Sequence, residues 1–332
     1  MASVIPSKYM STSPDFPVHF HGWLRIDKDG RCERFTGNQI EPPGTDLSTG
    51  VQSKDVVISL KSNVFVRVYI PKNTVHTNYK LPTLIYYHGG GFLVESAASI
   101  VYHRMLSLIT AECHVVAVSV NYRLAPEHLI PIPYEDSWEA IRWVATHGNG
   151  NGPESWLNDH ADLQNVFFAG DSAGANIAHN MGIRVGMDPV NDIKLKGVIL
   201  IHPFLGGNDP IGREGQDEKH RQHKEFMDAM WKLANPSGVV SDDPLFNPGL
   251  DPRISSFGCC KILVCVGEKD KLRSRGLNYK KVMERSGWKG KIEVMESERE
   301  GHVFFLSNAS SATACILRTR ICTFINPIRS KA

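Results

Sequence analysis

The sequence lacks the features that mark membrane, secreted and nucleic-acid-binding proteins. No apolar run approaches the length of a membrane span, and no basic segment followed by a long apolar core opens the chain. Lysine and arginine total 37 against 35 for aspartate and glutamate, without a dense basic block. We therefore expect a cytoplasmic protein whose partner is neither a membrane nor a nucleic acid, but a small molecule.

The cysteines also lack the spacing of a metal site. Seven cysteines, an odd number, are scattered along the chain, and two of them, Cys259 and Cys260, are adjacent. Several of the others lie in apolar runs, which is typical of buried thiols. We predict free cysteines in a reducing compartment, with no bound metal.

Length and composition are those of an ordinary globular protein. The 332 residues are 42% hydrophobic and 22% charged. Internal repeats, low-complexity tracts and linker-like boundaries are absent from the sequence, so we predict one domain over residues 1–332. Nothing in the sequence indicates the oligomeric state.

The stretch that carries most information runs from Asn165 to His179. Its apolar start, Val166 to Ala169, predicts a buried strand, and the residues from Ala173 to Val185 predict a helix. Ser172 lies between them in the pattern G-D-S-A-G. Such a strand-to-helix turn exposes a serine hydroxyl and directs helix N-terminal amides at a ligand, which is the arrangement of a nucleophile elbow.

The rest of the chain alternates predicted strands with predicted helices. The opening part, with a hairpin around Asp27–Gly30 and strands at Val56–Leu60 and Val64–Ile70, is antiparallel. In the second of these strands Phe65, Arg67 and Tyr69 are expected to point outward. Later strands and helices predict a mostly parallel, doubly wound α/β sheet. The predicted strands are Leu84–Tyr87, Val115–Val120, Gly197–Ile201, Ile262–Val266 and Ile292–Met295. The predicted helices are Tyr102–Ala111, Tyr134–Thr146, Arg275–Ser286 and Ser311–Ile325.

One long segment interrupts this alternation. Residues 203–252 are rich in Gly, Pro, Asp and His and contain a predicted helix at about Glu225–Leu233 without a strand. A long excursion after a strand's carboxyl end usually covers the ligand crevice of an α/β protein. We predict that it forms a cap together with residues 1–20.

Two further polar residues follow buried strands at the same rim as Ser172. Asp270 follows the strand that ends at Val266, and His302 follows the strand that ends near Met295. Serine, acid and histidine then occur in the chain order of α/β-hydrolases. Glu268 is an alternative for the acid, but Asp270 is preferred because it begins the following turn. The predicted triad is Ser172, His302 and Asp270.

A glycine run supplies the expected oxyanion donors. His88-Gly89-Gly90-Gly91-Phe92 follows a predicted strand, without the G-K-[ST] ending of a P-loop or the register of a dinucleotide site. We predict that the amides of Gly90, Gly91 and Ala173 bind an oxyanion and that His88 holds the loop. Such chemistry needs no metal or organic cofactor.

These motifs, with N-Y-R-L-A-P-E-H at Asn121–His128, resemble those of plant carboxylesterases in the hormone-sensitive lipase-like group of α/β-hydrolases. The resemblance covers nearly the whole chain. It implies the α/β-hydrolase fold and a serine carboxylesterase acting on small carboxylic esters, in plant specialised metabolism or xenobiotic turnover.

The same group contains proteins with other functions. Gibberellin receptors resemble these enzymes but lack the catalytic histidine, and 2-hydroxyisoflavanone dehydratases carry threonine for the serine and alanine for a loop glycine. At these positions the chain has Ser172, Gly91 and His302, which are the residues found in the hydrolases. A dehydratase, lyase or cyclase is the main alternative function, and a hormone receptor is a further alternative. Substrate preference depends on candidate pocket residues that could equally belong to the core: Phe92, Leu93, Phe204, Phe226, Met227, Met230, Trp231 and Phe304.

Overall fold

The computed structural model describes residues 10–72, 74, 79–238 and 241–327. A small antiparallel sheet comes first, with its strands in chain order. Its strands are β1 (Met10–Ser11), β2 (Val18–Phe20), β3 (Leu24–Ile26) and β4 (Cys32–Arg34). The predicted hairpin is confirmed, because β3 and β4 pair across the turn at residues 27–30.

An eight-stranded sheet forms the centre of the molecule, in the order β12-β11-β10-β9-β7-β8-β6-β5. Six neighbouring strands run parallel, and β6 is antiparallel to both of its neighbours. This confirms the predicted fold class. The strands are β5 (Gln52–Ser59), β6 (Val64–Ile70), β7 (Leu81–Tyr87), β8 (Val116–Asn121), β9 (Ala161–Asp171), β10 (Leu195–Ile201), β11 (Lys261–Gly267) and β12 (Lys291–Ser297).

Helices cover both faces of this sheet. They are α1 (Ile100–Cys113), α2 (Ile132–Ala145), α3 (Ser155–His160), α4 (Ala173–Met187), α5 (Glu218–Ala234), α6 (Arg273–Arg285), α7 (Phe304–Ser307) and α8 (Ala312–Ile325). Successive strand residues point to opposite faces. Phe167 of β9 therefore packs in the cluster that contains α1 and α8, while Phe168 packs in the cluster that contains α2 and α4.

The expectation that one face of β6 points outward is wrong. Arg67 is only 1% exposed, and Tyr69 is buried as well. Arg67 is held by two hydrogen bonds to Asp55, of 2.6 and 2.8 Å, and by one to the carbonyl of Glu41. Its Nη1 also lies 3.3 Å from His103 of α1. Helix α1 thus covers this face, and the carboxylate neutralises the buried guanidinium.

The two segments predicted to form a cap are in contact. Helix α5 begins at Glu218, earlier than predicted, where the Asp217 side chain accepts a hydrogen bond from the amide of His220. Phe226 of α5 packs edge-on against Phe20 and Trp23, with ring centroids 5.6 and 5.9 Å apart. The N-terminal sheet continues to Arg34, beyond the predicted limit of 20, and residues 1–9 lie outside the described residues.

The prediction of free cysteines throughout is wrong for one pair. Cys113 and Cys322, 209 residues apart in sequence, form a disulfide with their Cα atoms 4.5 Å apart. They meet because α1 and α8 pack side by side and both cysteines lie near the carboxyl ends of these helices. The other five cysteines are free thiols.

Within the described part of the chain, no helix has the length and apolar character needed to cross a membrane.

Candidate active site

Ser172 lies at the turn between β9 and α4 and has a strained backbone, with a positive φ of +51° and a ψ of −118°. The two flanking glycines permit this turn. A Cβ at Gly170 would lie 2.3 Å from backbone atoms of Gly174, and a Cβ at Gly174 would lie 1.9 Å from the carbonyl oxygen of Tyr87. Strand and helix therefore approach too closely for any side chain at these positions, as the nucleophile-elbow interpretation requires.

The side chains of the predicted triad form a chain of contacts in which His302 lies within hydrogen-bond distance of both Ser172 and Asp270. His302 Nε2 lies 3.0 Å from Ser172 Oγ, and His302 Nδ1 lies 2.9 Å from Asp270 Oδ2. These contacts fit an imidazole that donates from Nδ1 to the carboxylate and accepts the serine proton at Nε2. Each side chain follows the carboxyl end of a parallel strand: β9 for the serine, β11 for the aspartate and β12 for the histidine.

The electrostatic environment suits a carboxylate that stabilises an imidazolium. Burial alone would raise the pKa of Asp270, but the charge of His302 and hydrogen bonds from His202 and His302 hold it well below its ordinary value. The protein surroundings alone would lower the pKa of His302, but the Asp270 carboxylate, through charge and hydrogen bond, and then Asp171 raise it. The His302 side chain is 34% exposed, which leaves it open to a ligand.

The alternative acid lies elsewhere. Glu268 Oε2 accepts a hydrogen bond of 2.7 Å from the amide of Arg299 at the exposed surface.

His88 is fully buried and stacks on Tyr122, with ring centroids 4.2 Å apart, and its Nδ1 lies 2.8 Å from the Gly89 carbonyl. Burial lowers the pKa of His88 to about 4, so the ring is neutral at physiological pH, which is compatible with the predicted role of holding the loop.

The predicted oxyanion donors are backbone amides of the glycine loop and of the first residue of α4. Among the hydrogen bonds of the described residues, none uses the N–H of Gly90, Gly91 or Ala173. Gly90 and Gly91 have φ values of +103° and +63°, which glycine adopts without strain. Within the described part of the chain, three donors on the loop after β7 and at the first turn of α4 are thus unused.

A buried hydrogen-bond chain, which sequence reasoning missed, joins the elbow to the glycine loop. Asp171, next to the serine, accepts hydrogen bonds from Tyr86 (2.7 Å) and Tyr102 (2.9 Å). The Tyr102 hydroxyl in turn accepts a 2.7 Å hydrogen bond from the amide of Gly89. Burial raises the pKa of Asp171 to about 6, although both tyrosines and His302 lower it.

His202 was also missed. It follows β10, and its Nδ1 lies 2.9 Å from the same oxygen of Asp270 that His302 contacts. Its position after a buried parallel strand, at the rim of Ser172, is the signal that could have found it. The ligand atoms of His202, Asp270 and His302 lie within 4.8 Å of one another. A metal ion there would have to replace the hydrogen bonds of the triad.

The eight predicted pocket residues are all buried, and four of them can be placed relative to the glycine loop. Phe92, Phe204 and Trp231 are fully buried and pack together, with Trp231 stacked on Phe246, so they belong to the core beneath the loop. Met230 of α5 lies over the glycine loop. A Cβ at Gly91 would be 2.0 Å from its Cε and 3.4 Å from Cζ3 of Trp23, a residue that sequence reasoning did not select.

The fold and this site define an α/β-hydrolase, and the comparisons with known proteins agree. Residues 84–306 match the family model described as alpha/beta hydrolase fold, and the chain belongs to this family. A protein named probable carboxylesterase 7 from Arabidopsis thaliana is 42% identical over 91% of this chain and 96% of its own. A 2-hydroxyisoflavanone dehydratase from Glycyrrhiza echinata is 39% identical over 95% and 98%.

A solved structure shares the fold. The hyperthermophilic esterase from the archaeon Pyrobaculum calidifontis superposes with a TM-score of 0.69, at 23% identity, over 84% of this chain and 86% of its own.

Proposed function

We propose that the protein is a serine carboxylesterase that hydrolyses small carboxylic esters. The observation that supports this most strongly is the continuous contact from Ser172 Oγ through His302 to Asp270, at 3.0 and 2.9 Å, beside unused backbone amides. The relatives named carboxylesterase support the same activity. Plant specialised metabolism or xenobiotic turnover is the proposed setting.

In the first half of the reaction, Ser172 Oγ forms a bond to the ester carbonyl carbon while its proton moves to His302 Nε2. The carbonyl oxygen becomes an oxyanion, which the amides of Gly90, Gly91 and Ala173 stabilise. The carbon–alkoxy bond then breaks, and the leaving alcohol takes the proton from the imidazolium. The product is an acyl-serine.

In the second half, water replaces the alcohol. His302 accepts a water proton as the hydroxide oxygen bonds to the acyl carbon, and the proton returns to Ser172 Oγ when the acyl–serine bond breaks. The carboxylic acid leaves, and the enzyme regains its starting protonation. Asp270 stays ionised throughout and fixes the imidazole tautomer. We also propose that the N-terminal sheet and α5 form the cap over this site.

The test compares Ser172→Ala with the wild type on p-nitrophenyl acetate and butyrate. Loss of the nucleophile should lower kcat by several orders of magnitude, since members of a triad act as a unit. Asp270→Asn should also lower kcat strongly, by up to about 10⁴-fold if the tautomer changes. Glu268→Gln is the matched control and should retain wild-type turnover. Turnover near wild type in Ser172→Ala would refute the assignment.

A dehydratase or lyase is the second candidate, because a relative named 2-hydroxyisoflavanone dehydratase is 39% identical. In that reaction His302 would act as a base and the glycine loop would polarise a ketone. A fluorophosphonate probe separates the two, because only an activated serine is labelled. Failure to label Ser172 in the folded protein would favour the dehydratase.

A further inference from the structure

His202 makes a contact with the reaction centre that the ester mechanism above does not use. Its side chain is 0% exposed, and its Nδ1 lies 2.9 Å from Asp270 Oδ2. That oxygen is also 2.9 Å from His302 Nδ1, and the other oxygen, Oδ1, accepts a 2.8 Å hydrogen bond from the amide of Leu272. Three nitrogen atoms thus lie within 2.9 Å of one carboxylate, and rotation of the carboxylate would change at least one of these distances.

We propose that His202 is a positioning residue, which donates its Nδ1–H to Asp270 and so holds the carboxylate in the orientation that His302 requires. This inference rests on the proposed ester hydrolysis. His202 would act through Asp270, because the polar contacts of its ring among the described residues are with Asp270 and with the amide of Val303.

The tautomer of His202 follows from its partners. Nδ1 lies 2.9 Å from the carboxylate and 3.1 Å from the amide nitrogen of Val303, and these two contacts require opposite protonation of Nδ1. A charge-assisted bond to a carboxylate is the stronger interaction, which favours a proton on Nδ1. Nε2 then carries only a lone pair. It has no hydrogen-bond partner among the described residues, and the ring lies beside Phe304 and Phe305.

A neutral donor suits this position better than a charged one. Burial lowers the pKa of His202 although its hydrogen bond to Asp270 raises it, so the ring stays neutral at physiological pH. Its centroid is 5.7 Å from that of His302. A cation there would oppose the imidazolium that forms on His302 during catalysis, whereas a neutral N–H orients Asp270 and leaves its negative charge for His302.

The backbone of His202 restricts which residues fit. Its φ is +49°, a left-handed conformation that asparagine, aspartate and histidine adopt more readily than other side chains. Asparagine can also place an amide N–H near the position of the imidazole Nδ1–H. Leucine has a similar size without a donor, and glycine tolerates the backbone without a donor.

The pH dependence involves several groups around the two histidines. The titratable groups that act on His202 or His302 come from four segments and are Asp171, His223, Asp270 and Glu300. Loss of the His202 donor leaves Oδ2 of Asp270 more basic toward His302. The pKa of His302 should therefore rise, and the acid limb of kcat/KM should move to higher pH.

The experiment measures kcat, KM and the pH profile of kcat/KM for His202→Asn, His202→Leu and His202→Gly on p-nitrophenyl butyrate. We expect kcat to fall roughly ten- to a hundredfold in the Leu and Gly variants, as for loss of one charge-assisted hydrogen bond. KM should change little, the acid limb should rise, and Asn should restore both values toward wild type. His179→Leu, which removes a buried histidine bonded to Tyr279, is the control and should lower stability without moving the acid limb.

Several results would overturn the proposal. They are kcat within twofold of wild type in the Leu and Gly variants, an unmoved acid limb, or an Asn variant as impaired as Leu. If these variants do not fold, ¹⁵N NMR of histidine-labelled wild type decides, because a His202 ring protonated at Nε2 instead of Nδ1 contradicts it. Ester turnover by wild type and its loss in Ser172→Ala test the proposed function separately.

Discussion

Replacing Asp171 by asparagine tests the buried chain that joins the elbow to the glycine loop. Asparagine keeps the shape of the side chain but removes its charge and turns one acceptor into a donor. Tyr86 and Tyr102 both donate to the carboxylate, so one hydroxyl must turn or lose its partner. Because Tyr102 also accepts from the amide of Gly89, the change should reach the glycine loop.

The effect on stability depends on pH in a defined direction. The pKa of Asp171 is raised from its ordinary value of 3.8 to about 6, chiefly by burial. The favourable contribution of the protonated form is therefore complete below 3.8 and is lost as the pH rises through about 6. This shift in pKa corresponds in total to about 3 kcal/mol of folding stability, at about 1.4 kcal/mol per pKa unit. Asparagine has no such titration.

The assay is chemical denaturation of wild type and Asp171→Asn between pH 4 and 7.5. The free energy of unfolding of wild type minus that of the variant should fall by about 2.4 kcal/mol as the pH rises across this range, because part of the contribution is already lost at pH 4. Asp251→Asn is the control. Burial alone would raise the pKa of Asp251, but hydrogen bonds from Arg253 lower it, so its difference should stay flat above about pH 4.

A flat or rising difference for Asp171→Asn would refute this reasoning. Activity provides a second readout. We expect kcat to fall roughly tenfold, equivalent to about 1.4 kcal/mol, because the loop loses its anchor. The acid limb of kcat/KM should also move to lower pH, since the Asp171 carboxylate helps to raise the pKa of His302.

Three further outcomes are expected. Since the pKa of His302 is raised and its neutral form is the base, kcat/KM should fall on acidification with a midpoint above 6.5, and a lower midpoint in a pH 5–9 profile would contradict this. Gly91→Ala should lower kcat by about 10²–10³-fold by displacing a proposed oxyanion donor. Gly287→Ala, also at positive φ but with open space around it, should affect stability alone, and equal kcat in both variants would contradict the proposed role of the loop. Thiol titration of the unreduced, denatured protein should detect five thiols, because Cys113 and Cys322 are paired, and seven would contradict the disulfide.

Local patterns were sufficient for much of the architecture. Buried parallel strands such as β8 and β10 are short apolar runs, and the helices between them have an apolar stripe, so periodicity predicts both. The convergence of Ser172, Asp270 and His302 was expected because parallel strands end at one edge of the sheet. Their catalytic roles remain a prediction, which the variants above test.

Contacts between remote segments could not be predicted in the same way. Residue Cys113 meets Cys322 only because two helices pack together, which nothing local encodes. The alternating pattern of β6 predicts an exposed Arg67, because its ion pair with Asp55 and its cover by helix α1 are contacts between remote segments. His202 was missed for another reason: a single polar residue after a strand has no motif around it, and only its distance to Asp270 reveals the contact.

The approach of Trp23 and Met230 to Gly91 has a consequence for engineering substrate preference. These two side chains come from segments about two hundred positions apart, and both limit the room beside the glycine loop. Exchanging one segment for that of a relative would pair surfaces that did not evolve together. Chimeras that transplant both segments, while leaving the hydrolytic machinery untouched, are therefore the more promising route to new ester selectivity.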